Sequence, residues 1–152
     1  MGRLPLILAT CLLAPPLAGQ PGTPSAELMT LRAKAQAGDA AAQFELGDRC
    51  HFGRGLLRDH AAAARWYRLA AEQGHPGAQM NLGNAYSRGE GLPRNVAEGY
   101  VWFALAAANG QPGAATNRDL AARKLSALEV RAAQARVRRL EAEVRKRSGR
   151  QD

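Results

Sequence analysis

Apolar residues in the centre of the chain recur at intervals of three and four, which is the spacing of one face of an α-helix. Leu46 and Cys50 lie one turn apart, and the same spacing recurs 36 residues later. The pattern predicts helices over Ala40–His51 and Pro76–Ser87. Each is followed by a Gly-x-Gly segment, whose glycines accept the left-handed conformation that ends a helix.

A second helix is predicted after each of these. Asp59 and Asn95 are good N-caps for it, and Asn95 with Glu98 predicts a capping box. The helix ends at Gly74 in the first case and at Gly110 in the second. Its apolar face is formed by three residues in each copy: Trp66, Leu69 and Ala70, then Trp102, Leu105 and Ala106.

These helix pairs are two copies of one 36-residue unit, residues 39–74 and 75–110. Aligned without a gap, the copies share 14 identical positions of 36, and a fixed period of roughly 20–50 residues is typical of a solenoid. Half units flank them. Ala26–Ala37 aligns with a second helix alone, and Pro112–Arg123 aligns with a degenerate first helix.

A last helix opens at Ser126, which forms a capping box with Glu129. We assign residues 124–148 to a C-terminal capping helix and residues 149–152 to a disordered tail. The apolar seam of the capping helix either docks on the preceding helices or pairs with another chain. Docking is the favoured alternative. The seam consists of Val130, Ala133, Val137, Leu140 and Val144.

The combined motif resembles the Sel-1-like repeat. In the first copy it comprises an Ala-Gln and a Leu-Gly pair, the Gly-x-Gly-Leu segment and a Trp-Tyr-x-x-Ala-Ala-x-x-Gly segment ending at Gly74. With half units, the resemblance covers 26–123. It implies an all-α fold, a short right-handed α-solenoid related to tetratricopeptide arrays, and an adaptor or scaffold role in protein complexes. Cys50 departs from the family's usual Tyr at a core position, which favours a buried thiol.

Resemblance to tetratricopeptide arrays also implies a partner-binding groove on the concave face. Aromatic and Met anchors among polar groups suit a peptide groove. The alternative is that Phe44 and Phe52 simply cover neighbouring helices. The predicted groove residues are Phe44, Asp48, His51, Phe52, Met80, Asn84, Ser87, Arg88, Thr116 and Arg123.

Catalytic and metal chemistry find little support in the sequence. Cys50, His51 and His60 fall short of the four ligands of structural zinc, and the first two are helical neighbours that point in different directions. No Ser-His-Asp pattern is present. We therefore expect no enzyme activity, no metal and no cofactor, with an enzyme as the remote alternative.

The N-terminal segment predicts a secretory signal peptide over residues 1–19, followed by a linker over 20–25. Arg3 precedes an apolar run, Leu4–Ala14, that is too short to span a bilayer. The alternatives are an uncleaved anchor and a lipoprotein modified at Cys11. The expected location is the periplasm or the exterior. Loss of Cys11 with the signal leaves Cys50 alone, so no internal disulfide is expected.

The net charge of +8 is concentrated near the C-terminus, where residues 123–152 hold ten Lys or Arg and four Asp or Glu. We call this C-terminal segment the basic tail. It forms a solvated helix face, or it contacts anionic phospholipid or cell-wall polymer. Nucleic acid is not expected, because no reading element is present. We predict a monomer that binds a protein partner. The tail residues are Arg136, Arg138, Arg139, Arg145, Lys146 and Arg147.

Overall fold

Seven α-helices account for the regular structure of residues 25–148, which the computed structural model describes. No strand occurs among these residues, so the prediction of an all-α solenoid of helical repeats is confirmed. In chain order the helices are α1 (Ala26–Gln36), α2 (Ala40–Phe52), α3 (His60–Glu72), α4 (Pro76–Arg88), α5 (Val96–Ala108), α6 (Ala114–Ala122) and α7 (Ala127–Ser148).

The predicted signal peptide (1–19), the linker up to residue 24 and the tail (149–152) lie outside the described residues. Ser25, which the sequence assigned to the linker, is instead the N-cap of α1. Its side chain accepts a hydrogen bond from the Leu28 amide over 3.2 Å. The helix itself begins at Ala26, where the first half unit was predicted to begin.

The helix boundaries within the two full units agree with the predictions to within two residues. Both first helices run one residue longer than predicted, to Phe52 and Arg88. Gly53 and Gly89 then end them with φ of 72° and 75°. Only glycine adopts this left-handed conformation without steric cost, so the Gly-x-Gly segments are the stop signals that the sequence indicated.

The Leu-Gly pair of each unit lets the two helices of a hairpin come into close contact. A Cβ atom on Gly47 would lie 2.7 Å from the ring of Tyr67, and one on Gly83 would lie 2.6 Å from the ring of Phe103. Both rings are buried. The aromatic residue of the second helix therefore packs closely against the backbone of the first helix, where any side chain would collide with it.

A buried glutamine joins each first helix to the helix before it. The Gln43 side-chain amide donates to the Ala35 carbonyl over 3.0 Å, and Gln79 donates to Ala71 over 3.2 Å. Gln43 therefore donates a hydrogen bond to α1 in the same way that Gln79 donates one to α3. By this bond α1 stands to α2 as α3 stands to α4.

The degenerate third unit contributes only its first helix, α6. Ala114 is fully buried like Ala78, but the Leu-Gly pair is replaced by Arg118 and Asp119, which form an ion pair at 2.8 Å. Helix α7 does not complete a hairpin with α6. It packs chiefly on α5, with Ala133 buried in the contact, so the prediction that α7 docks on the array is confirmed.

The N-terminal ends of α5 and α7 differ in how completely their predicted capping boxes form. The Ser126 capping box is confirmed, because the Ser126 amide donates to Glu129 and the Glu129 amide donates back. The predicted Asn95 box forms only in part. The Asn95 side chain caps the Glu98 amide, but the Glu98 carboxylate pairs with Arg136 of α7 at 2.8 Å.

Docking of α7 makes the two full units unequal in burial. Leu105 of α5 is 5% exposed, whereas its equivalent Leu69 in α3 is 45% exposed. Trp102 is likewise buried, and Trp66 is half-buried. None of the described helices is both long and apolar enough to cross a membrane.

Candidate interaction cleft

A cleft of about 270 Å³ opens between the two full units, where α2, α3 and α4 meet. Its walls come from the ends of α2 and α4, the start of α3, and the loop after α4. We call it the inter-repeat cleft. Its lining residues are His51, Phe52, His60, Ala63, Ala64, Tyr67, Asn81, Asn84, Ala85, Arg88 and Glu90.

Four of the ten predicted groove residues line this cleft: His51, Phe52, Asn84 and Arg88. Phe52 is 56% exposed and Arg88 is exposed, so both are free to contact a ligand. His51 and Asn84 are half-buried in the walls. The cleft is therefore narrower than the predicted groove, and it lies at one junction between units.

Three other predicted groove residues hold the units together. Phe44 is half-buried and stacks on His75, with ring centroids 4.5 Å apart. Met80 is half-buried against the core, and Asp48 accepts two hydrogen bonds within the array. Phe44 therefore covers a neighbouring helix, which is the alternative to a place in the groove that the sequence left open.

The remaining three predicted residues lie apart from the cleft. The Ser87 hydroxyl faces α5, because a Cβ atom on Gly99 would lie against it, and its oxygen is buried without a partner among the described residues. The assignment of Ser87 to the groove surface is therefore corrected. Thr116 and Arg123 are exposed on and after α6, outside the cleft lining.

A hydrogen-bonded group forms the wall of the cleft between the units. The Tyr67 hydroxyl donates to Asp48 over 2.7 Å, and the Asn81 amide donates to the same oxygen over 3.1 Å. Burial raises the pKa of Tyr67 far above its usual value, and the bond to Asp48 adds to the shift. Tyr67 therefore stays protonated as a fixed donor.

The same contact recurs at the next junction, where the Asn117 amide lies 3.5 Å from the Asn84 oxygen. Asn84 and Asn117 occupy the repeat positions of Asp48 and Asn81. Phe103 replaces Tyr67 there and has no hydroxyl to donate. The first junction is accordingly the more strongly bonded one.

The rim of the cleft combines apolar surface with charge. The Arg54 guanidinium lies 4.7 Å from the centroid of the exposed Phe52 ring, and Arg88 lies 3.7 Å from the carboxylate of Glu90. Aromatic and Arg side chains are the groups most often responsible for affinity at protein interfaces. The rim is thus suited to a ligand with an apolar side chain and an acidic one.

A larger cavity of about 500 Å³ lies between α1 and α2. Its charged lining is already paired, since Arg49 contacts Glu27 at 2.7 Å and Glu45 at 2.8 Å. The pair in the inter-repeat cleft, Arg88 with Glu90, is longer at 3.7 Å, and the cleft also exposes the ring of Phe52. We therefore take the smaller cleft as the candidate site.

Cys50 belongs to the core and not to the cleft. It is 6% exposed, and burial raises the pKa of its thiol. The prediction of a buried thiol is confirmed, although His51 beside it lines the cleft.

The basic tail is only partly free to bind. Arg136 pairs with Glu98 of α5 at 2.8 Å. Arg138, Arg139, Arg145 and Lys146 are exposed on α7. The side chain of Arg147 lies outside the described part.

Sequence reasoning missed His60, Tyr67, Asn81 and Glu90 as members of this site. Tyr67 belongs to the repeat motif, so the pattern indicated a structural role for it without showing the cleft. Glu90 lies inside a Gly-x-Gly segment, which was interpreted only as a helix stop. Its charge between two glycines was the signal that could have located it.

Comparison with known families matches the Sel1 repeat to residues 40–75 and 76–111. These ranges are the two full units with a shift of one residue. The chain is a Sel1-like repeat protein. Two solved structures support this assignment by both sequence and fold. No curated protein matches the sequence.

The first of these structures is c5321, a protective antigen present in uropathogenic Escherichia coli strains that displays an SLR fold. It shares 35% identity over 72% of this chain, with a TM-score of 0.70. The second is a Sel1 repeat protein from Oxalobacter formigenes, with 34% identity over 58% of this chain and a TM-score of 0.57. The chain spans only 24% and 26% of their lengths.

Sel1-like repeat proteins are generally protein-interaction modules and are generally non-catalytic. The inter-repeat cleft of this Sel1-like protein is consistent with that role, because it presents an exposed ring and a charged rim on a packed scaffold. Several of the other predicted groove residues make contacts within the array and do not form part of a binding surface.

Proposed function

We propose that this Sel1-like protein is a non-catalytic interaction module that binds a short segment of a protein partner in the inter-repeat cleft. The observation that supports it best is the exposed Phe52 ring beside Arg54, with Arg88 across the cleft. The preferred segment carries an apolar side chain next to an acidic one. The array acts as a monomer in the periplasm or outside the cell, and its N-terminal signal directs export.

The size of the cleft supports a short segment rather than a large surface. Its volume of about 270 Å³ falls near the lower end of ligand pockets, which run from about 300 to 1,000 Å³. The described residues hold two full units, so the concave surface is small. One or two anchoring side chains are therefore expected to carry the affinity.

Site-specific photo-crosslinking tests this proposal directly. A photo-reactive phenylalanine analogue replaces Phe52, and a control chain carries it at Leu57, which is 90% exposed and outside the cleft lining. After irradiation in envelope extract, we expect a discrete adduct from position 52 alone. Excess unlabelled protein should compete it away, and mass spectrometry then identifies the crosslinked segment.

A charge and shape variant provides the second measurement. Phe52→Ser with Arg88→Glu alters two exposed residues, so the fold should persist. Leu57→Ser with Arg65→Glu makes the same changes at exposed positions away from the cleft. If the identified segment binds both variants with equal affinity, the cleft is not its binding site.

A second candidate function rests on α7, whose Arg131, Arg138 and Arg145 are exposed and seven residues apart, so they share one face of the helix. In this alternative the protein is an envelope-associated structural component that contacts anionic phospholipid or cell wall. Because α7 packs on the core, deleting it would also disturb the fold. Arg138→Glu with Arg145→Glu is the cleaner test, read by co-sedimentation with anionic vesicles.

A further inference from the structure

Two of the three histidines of this chain meet at the mouth of the inter-repeat cleft. The Nδ1 atoms of His51 and His60 are 3.2 Å apart. One carboxylate oxygen of Glu90 joins them, and the three ligand atoms all lie within 4.8 Å of one another. All three residues are half-buried. The set is a cluster of two imidazoles and one carboxylate that opens on the cleft.

Three separate elements bring this cluster together. His51 lies near the end of α2 and His60 is the first residue of α3. The Asp59 amide donates to the Cys50 carbonyl over 2.8 Å, which fixes the start of α3 against the end of α2. The two imidazoles are therefore held side by side by backbone bonds within the first unit.

Glu90 reaches the histidines because its loop touches the backbone of α3. A Cβ atom on Gly91 would lie 2.1 Å from the His60 carbonyl oxygen, so only glycine permits this approach. Gly89 and Gly91 both have φ of 75°, which fixes the loop on either side of Glu90. At the equivalent position of the first unit, Gly55 meets no atom within 4 Å.

The nitrogen separation fits a metal site. Two histidine nitrogens bound to Zn²⁺ at about 2.0–2.1 Å in a tetrahedral site are about 3.4 Å apart. Imidazole with carboxylate is a donor set suited to Zn²⁺ and to neighbouring ions such as Cu²⁺ and Ni²⁺, whereas Ca²⁺ and Mg²⁺ prefer oxygen alone. Glu90 now pairs with exposed Arg88 at 3.7 Å, and an exposed pair of this kind is weak enough to exchange.

We propose that His51, His60 and Glu90 bind one divalent transition-metal ion of the zinc class, with a coordination position open to the inter-repeat cleft. The site differs from the set considered in the sequence, since buried Cys50 takes no part and Glu90 from the second unit replaces it. The equivalents of the two histidines at the next junction are Ser87 and Val96. The proposal does not rest on the proposed function.

The competing interpretation is a hydrogen bond between two imidazoles, one donating and one accepting at Nδ1. That arrangement needs no metal, and it does not require Glu90. A metal site and an imidazole pair therefore differ in two measurable respects: saturable metal binding, and dependence of that binding on the carboxylate.

The experiment is calorimetric titration of the full, tag-free chain with Zn²⁺ at a fixed pH of about 7.5, because metal affinity depends on pH. We expect one Zn²⁺ per chain, and Co²⁺ should show the visible bands of a four-coordinate ion. His51→Gln, His60→Gln and Glu90→Gln should each weaken Zn²⁺ binding by roughly tenfold or more. Mutation of residues that only hydrogen-bond to metal ligands already lowers metal affinity by about 10–100-fold.

Two control variants separate the site from adventitious binding. His75→Asn removes the third histidine, and Cys50→Ala removes the thiol next to His51; both should leave the Zn²⁺ affinity unchanged. Circular dichroism establishes that every variant is folded. The proposal is overturned if the parent shows no saturable binding, if Glu90→Gln binds as the parent does, or if His75→Asn weakens binding as much as His60→Gln.

Discussion

Within the second unit, the side chains of Gln79 in α4 and of Asn109 at the C-terminal end of α5 are hydrogen-bonded over 2.9 Å. The same bond joins Gln43 and Gln73 over 2.8 Å, 36 residues earlier. Gln79 is 1% exposed and also donates to the Ala71 carbonyl. One buried glutamine per unit thus ties three successive helices together.

We predict that Gln79→Met lowers the free energy of unfolding by about 1–3 kcal/mol, the cost of leaving buried polar groups unsatisfied. Methionine has a similar size, so loss of volume contributes little. Gln134→Met on the exposed side of α7 is the control and should change stability by less than about 0.5 kcal/mol. Urea unfolding measures both, and equal stability of the two variants would contradict the prediction.

The contact between Gly83 and Phe103 gives a second prediction. Gly83→Ala places a methyl group 2.6 Å from the ring, and overpacking of this kind costs about 1–3 kcal/mol. Phe103→Leu alone leaves a cavity and also destabilises. If the two groups collide as described, the double variant will be more stable than the sum of the single changes predicts. Additive losses in thermal unfolding would show that the methyl group is accommodated elsewhere.

Helices and repeat period could be predicted from the sequence because both are local patterns. Apolar spacing, N-caps such as Asp59 and glycine stops such as Gly53 act within a few residues, and the helices of the two full units follow them to within two residues. Docking of α7 was one of two alternatives, since an apolar seam does not specify its partner. The choice depends on contacts such as Arg136 with Glu98, which join residues far apart in the chain.

The candidate site was predicted less well, for a physical reason. The groove residues were assigned by helix position alone, which does not reveal that Ser87 turns toward Gly99 or that Asp48 is already bonded to Tyr67. Glu90 reaches His60 only because two backbones touch at a glycine. Such an approach is a property of the tertiary structure and leaves no periodic signal.

Docking of α7 provides a third prediction, with a control one residue away. Ala133 is 5% exposed against α5, whereas Ala132 is exposed. Ala133→Asp should lower the free energy of unfolding by at least about 2 kcal/mol, because it buries an unpaired charge, and Ala132→Asp should have little effect. Urea unfolding and trypsin cleavage of the Arg-rich helix report the loss. Equal protease resistance in both variants would contradict the docked position of α7.

The last prediction concerns pH and the N-cap of α4. The Nδ1 atom of His75 accepts the Ala78 amide hydrogen over 3.2 Å, where the first unit uses Asp39. Burial lowers the pKa of His75 below its usual value of 6.5. The unfolded chain therefore takes up this proton more readily than the folded protein does. The contribution of His75 is complete above about pH 6.5 and is lost progressively as the pH falls below that value.

His75→Asn isolates this effect, because asparagine caps a helix equally well and does not titrate. Between about pH 7 and pH 5, the parent should lose up to about 1 kcal/mol more stability than the variant, which is the value of an N-cap. Loss of the Phe44 stack lowers the stability of the variant at every pH, so only the slopes are compared. Parallel curves of unfolding free energy against pH would show that the imidazole keeps its usual pKa in the folded protein.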